Sequence, residues 1–98
     1  MIKQILLFAF KEHITSDQID RFSSEYKKLE ELHGVVRIEF GPNVSEEEYN
    51  QGYTHAAIVT FNDKKSVSNY LRHSQHIQLS ESYLDPILEK ICIIDIQI

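Results

Sequence analysis

The strand-like segments of this chain are apolar on both faces, yet helical periodicity is sufficient to cover only one. Residues 2 to 10 read Ile-Lys-Gln-Ile-Leu-Leu-Phe-Ala-Phe. Side chains of a strand alternate between its faces, so Gln4, Leu6, Phe8 and Phe10 share one side and Ile5, Leu7 and Ala9 the other. Tyr53 to Phe61 repeats the pattern, with Ala57, Val59 and Phe61 opposed to Ala56, Ile58 and Thr60. In Ile87 to Ile98, residues Ile91, Ile93, Asp95 and Gln97 alternate with Cys92, Ile94, Ile96 and Ile98. Residues 35 to 41 add a strand with Val35, Val36, Ile38 and Phe40 as its apolar content.

Thr15 and Gln18 have the spacing of a capping box. From there Ile19, Phe22, Tyr26, Leu29 and Leu32 recur at helical spacing, which predicts a one-faced helix of about 18 residues ending near His33-Gly34. A second helix is expected from about Lys65, on Val67, Tyr70 and Leu71, and a short helical pattern from Ser74 to Leu84. Between strands two and three, residues 42 to 52 are polar and acidic and read as a long loop. The order is β-α-β-β-α-β over residues 1–98, taken as a single domain of the α+β class.

Two main helices cover one side of a four-stranded sheet. If about ten medium-sized side chains on the other side each lost roughly 1.5 kcal/mol of transfer free energy, the cost would exceed a small domain's whole stability of about 5 to 10 kcal/mol. With 98 residues the chain is also near the size at which a core needs support from outside. A second copy packed sheet to sheet removes the problem. Were Ala57, Val59 and Phe61 the partner-facing side, Val59→Asp would break that dimer.

Ten Lys and Arg against 15 Asp and Glu give a net charge of -5 with no basic cluster, so nucleic acid is not an expected partner. Cys92 is the only cysteine, which excludes an intramolecular disulfide and fits a cytoplasmic setting. The apolar N-terminal stretch is too short to span a membrane and runs into Lys11 and Glu12 without a small-residue cleavage site. No membrane association is expected.

The opening strand Lys3 to Lys11, Gly52-Tyr53-Thr54-His55, Tyr70-Leu71-Arg72-His73-Ser74-Gln75-His76 and the late Ile94-Asp95 together resemble the stress-responsive A/B barrel domain family over the whole chain. Tyr70-x-x-His73-x-x-His76 is the most specific part. The resemblance implies a ferredoxin-like protomer with a four-stranded antiparallel sheet, forming a dimeric α+β barrel, and a cleft between sheet and helices. It also implies two kinds of member: stress-induced proteins of obscure activity and a cofactor-free polyketide cyclase. In the latter the histidine matching His76 is the base and the tyrosine matching Tyr70 assists. Gln4 stands where the cyclase has a histidine, and an amide cannot repeat a proton-transfer role.

The residues themselves also support His76 and Tyr70 as a candidate catalytic pair, because His titrates near neutrality and a Tyr hydroxyl stabilises developing negative charge. A continuous helix from Tyr70 would bring His73 and then His76 onto one pocket wall. Gln4, Phe8, Phe22, Tyr26, His55 and His73 complete the expected ligand pocket. Each has a structural alternative: a backbone-tied ring for His55, a helix-end role for His73, a hydrogen-bonded cap for His76, and core packing for the aromatic residues.

No metal site is expected, since His73 and His76 alone do not define one and Cys92 has no CxxC partner. No cofactor is expected, and no histidine is singled out by spacing as a haem ligand. Two functions fit. One is a small homodimeric stress-responsive protein that binds a hydrophobic metabolite; the alternative is a cofactor-independent cyclase, isomerase or lyase acting on a carbonyl or polyketide-like substrate.

Overall fold

A computed structural model describes residues 1–98. Strand β1 (Ile2–Phe10) leads to helix α1 (Ser16–Lys27), which tightens into a 3-10 turn (Lys28–Glu31) before β2 (Val35–Pro42). Strand β3 (His55–Phe61) is followed by α2 (Lys64–Arg72), α3 (Ser74–Leu79), a single π turn (Ser80–Leu84) and β4 (Leu88–Gln97). The sheet order is β2-β3-β1-β4, and all three pairings are antiparallel.

The expected capping box forms. Thr15 Oγ1 accepts from the Gln18 backbone N–H at 3.2 Å, and Gln18 Oε1 accepts from the Thr15 backbone N–H at 2.9 Å. The helix is shorter than its apolar stripe suggests because the chain turns extended at Leu32. Gly34 then takes φ +87°, and a Cβ there would collide with the Ser66 side chain. Helix α2 starts where Asp63 accepts from the Ser66 backbone N–H at 2.8 Å.

The two sides of the sheet differ as the alternation predicts. Phe8, Val59 and Phe61 are fully buried under the helices with Phe22, Tyr26 and Tyr70. Val59 therefore faces the helices, and the reading that placed it toward a partner is corrected. The partner-facing candidates lie on the opposite, open side, where Ile58, Ile94 and Ile96 remain exposed. Strand β4 is bare on both sides at Ile93 and Ile94, because the helices do not reach that edge.

The expected barrel is also corrected. Strands β2 and β4 form opposite edges, separated by β3 and β1, so backbone pairing never returns upon itself and the sheet is open. At the centre of the β2 edge, the outward groups of Ile38 are occupied: its N–H donates to Glu30 Oε2 at 2.8 Å and its carbonyl accepts from Lys27 Nζ at 2.8 Å. Lys27 and Glu30 are themselves paired at 2.7 Å.

Candidate functional site

Strand β1 aims Gln4, Leu6 and Phe8 at the helices, and α1 returns Phe22 and Tyr26 over them one turn apart. The end of α2 brings in Tyr70 and α3 brings in His76. Together these residues enclose a cavity of about 30 Å³, room for about one water molecule. Leu79, Ser80 and Leu84 close its outer side. The cleft implied between sheet and helices therefore exists as a small interior space.

Its polar groups are neutral and incompletely partnered. Tyr26 is only 4% exposed, yet its hydroxyl has no hydrogen-bond partner within 3.5 Å and interacts only loosely with the Tyr70 hydroxyl, and buried His76 Nδ1 has no partner within that distance either. Unsatisfied buried polar groups are rare and costly, so a pair of them around one cavity calls for a reason. Burial pushes the Tyr26 hydroxyl well above the usual tyrosine range, with neighbouring Tyr70 adding to the effect. Burial likewise raises Tyr70, partly opposed by its interaction with the Tyr26 hydroxyl. His76 moves the other way: burial lowers it, partly opposed by the Leu71 carbonyl. Near pH 7 the cluster holds an unprotonated imidazole, two phenols and the Gln4 amide. It can donate hydrogen bonds to an uncharged oxygen and accept a proton at imidazole.

Tyr70 and His76 meet, with ring centroids 4.5 Å apart, but not along one helix. The helix breaks at His73, whose backbone is extended and whose Nδ1 accepts from the Gln75 backbone N–H at 3.1 Å as the cap of α3. His73 is exposed and stands apart from the cavity. His55 also lies outside it. Its ring stacks on Phe40 at 5.5 Å, meets Phe10 edge-on at 5.2 Å and shares a 2.9 Å hydrogen bond with Thr54 Oγ1. Burial lowers its pKa.

Of the residues expected from sequence to form the site, Gln4, Phe8, Phe22, Tyr26, Tyr70 and His76 converge, whereas His55 and His73 do not. The sequence reading missed Leu6, Leu79, Ser80 and Leu84. The leucines carried an apolar signal that could mean core or lining, and Ser80 carried none.

No group of three or more His, Cys, Asp or Glu side chains is arranged to hold a metal ion. No helix is long and apolar enough to cross a membrane.

A ferredoxin-like sheet with helices on one side and a small histidine-tyrosine cavity between them defines the class of protein. Residues 2–98 match the Stress responsive A/B Barrel Domain, and the chain belongs to that family. Despite the family's name, the sheet of a single chain is open. The chain is 32% identical over 95 residues to stress-response A/B barrel domain-containing protein HS1 of Arabidopsis thaliana, covering 96% of this chain and 86% of that protein. It is 27% identical over 95 residues to olivetolic acid cyclase of Cannabis sativa, covering 96% and 93% respectively.

Among solved structures, a crystal structure of a protein from Arabidopsis thaliana superposes with a TM-score of 0.93 at 30% identity, covering 99% of this chain and 94% of that one. A dimeric ferredoxin-like protein from Thermobifida fusca shares the fold, with a TM-score of 0.84 at 18% identity and coverage of 99% and 90%.

Proposed function

We propose that this chain acts as a cytoplasmic homodimer that binds a small apolar molecule with a carbonyl oxygen in the cavity between sheet and helices. The observation that carries the reading is the pair of unpartnered buried atoms, Tyr26 Oη and His76 Nδ1, around one space. A carbonyl oxygen would accept from the Tyr26 hydroxyl, while Leu6, Phe8 and Phe22 surround the hydrocarbon part. Anything larger than water needs the outer wall to yield. The π turn Ser80–Leu84, which supplies Ser80 and Leu84 to that wall, is the kind of helical irregularity that occurs at functional sites.

Dimerisation follows from the open side, where Ile58, Ile94 and Ile96 form an apolar surface without intramolecular cover. The dimeric relative from Thermobifida fusca has the same fold, which supports the same solution here.

Cyclohexanone is a suitable probe. Saturable shifts of the Tyr26 and His76 ring resonances, abolished in Tyr26→Phe, are expected. Shifts elsewhere only, or none up to solubility, would sink the binding reading.

The second reading is cofactor-independent lyase, isomerase or cyclase chemistry, favoured by the unprotonated His76 beside the neutral Tyr70. His76 would take a proton from the carbon next to the carbonyl while a phenol donates to its oxygen. Similarity to olivetolic acid cyclase gives that reading a precedent in the family. Its test is deuterium exchange at the α-carbon of cyclohexanone in heavy water: the chain should accelerate it and His76→Gln should not.

A further inference from the structure

The cavity of Tyr26 and His76 comes within one side chain of the outside of the molecule. On the helix side, away from the sheet face that a second copy covers, the end of α1 and its 3-10 turn part from α3 and leave a groove of about 450 Å³. Leu29 and Tyr83 supply its apolar part, and Lys28, Gln75 and Gln78 its polar rim. Glu25 pairs with Lys28 at 3.0 Å on the α1 side. Leu79 is the one residue that lines both this groove and the 30 Å³ cavity.

Most of the cavity wall is backed by other protein groups. Gln4, Leu6 and Phe8 belong to the sheet. Phe22 stacks on Tyr26 with ring centroids 5.1 Å apart and meets Phe40 edge-on at 5.5 Å, while Tyr70 lies edge-on to Phe61 at 5.0 Å. Behind Leu79 lies the groove instead. The main chain also changes register next to it: the Ser80 N–H is shared between the carbonyls of His76 and Ile77, and the Ser80 carbonyl accepts from the Asp85 N–H at 2.7 Å. A leucine side chain moves by rotation between staggered conformers, and outward rotation of this one has room without displacing a helix.

We propose that Leu79 is the gate of the cavity and the groove its approach, an inference that rests on the binding of a carbonyl compound beside Tyr26 and His76. With Leu79 turned outward the two spaces join. The site then takes a carbonyl compound larger than the closed cavity, with its oxygen at Tyr26 and its far end in the groove beside Leu29 and Tyr83. Leu79 thereby sets both the rate of entry and the size of what enters.

The rate is read from nuclear magnetic resonance exchange of cyclohexanone with the chain in its native oligomeric state. Leu79→Ala should speed exchange by about tenfold or more, and Gln78→Trp, which lays an indole across the groove from an exposed position, should slow it by a similar factor. Ser68→Trp, exposed on α2 and outside both spaces, should leave it unchanged. The size is read with 4-tert-butylcyclohexanone, whose methyl groups should give nuclear Overhauser contacts to Leu29 and Tyr83.

Cyclohexanone that shifts Tyr26 and His76 but exchanges at one rate in the original chain, Leu79→Ala and Gln78→Trp overturns the gate and leaves the binding site standing. Absence of any shift at Tyr26 and His76 overturns both. Contacts from the tert-butyl group to residues outside the groove overturn the approach. Should Leu79→Ala not fold, Gln78→Trp and the contacts measured on the unaltered chain decide.

Discussion

Tyr26 and His76 come from helices separated by two strands in sequence, yet each directs an unpartnered polar atom at the same 30 Å³ cavity. Removing one of these atoms separates its cost in stability from its use in binding. Tyr26→Phe keeps the ring and deletes an unsatisfied hydroxyl, so urea unfolding should show a chain as stable as the original or more stable by about 1 kcal/mol. The same variant should lose its response to cyclohexanone. A substantial loss of stability would mean that the hydroxyl has a partner.

Both His55 and His76 have pKa values lowered by burial. For a histidine depressed in the folded state, the unfolded chain binds the proton first as pH falls. Stability should therefore be full above the ordinary histidine value of about 6.5 and decline below it, levelling only once the folded chain is also protonated. Thermal unfolding between pH 7.5 and 5 reads this decline. His76→Gln should flatten it if His76 contributes.

Ile58 and Val59 are adjacent but opposed: Val59 is fully buried under the helices, and Ile58 is 36% exposed on the open side. Ile58→Asp should leave a folded chain that sediments as a monomer. Val59→Asp should unfold it, since an unpaired carboxylate in the core costs several kcal/mol. A dimer that survives Ile58→Asp would argue against association through that side.

Glu30→Ala removes the acceptor of the Ile38 N–H. A loss of about 1 kcal/mol is expected for a backbone donor left without its partner. Hydrogen exchange should accelerate at Ile38 ahead of Val59, localising the effect to the edge.

Gly34→Ala tests the turn into β2. The positive φ disfavours any side chain, and the new Cβ would press on Ser66, which is buried at the start of α2. Destabilisation of more than about 1 kcal/mol is expected from the left-handed backbone and the clash together, read from the urea midpoint.

Much of this architecture was legible because period-two alternation is a local property. Gln4, Leu6 and Phe8 fell on one side of β1 whatever the rest of the chain did. Which side met the helices was not local, and Val59 shows it: β3 is apolar on both faces, so its pattern does not say which one the helices cover. The helix break at His73 was hidden for another reason. A histidine that caps the following helix has the same three-residue spacing as one within a continuous helix, so His73 and His76 looked alike in sequence but diverged in space.

The pair formed by Lys27 and Glu30 has a bearing on how this protein avoids aggregation. By engaging the outward N–H and carbonyl of Ile38, it denies an incoming strand its central anchor on β2, while no equivalent side-chain contact blocks β4. Strand addition is thereby confined to one margin of the sheet. Two molecules meeting at that margin consume it in both, and the edges they leave outward are the guarded ones. The same two side chains that secure the end of a helix thus act as a stop to fibrillar growth.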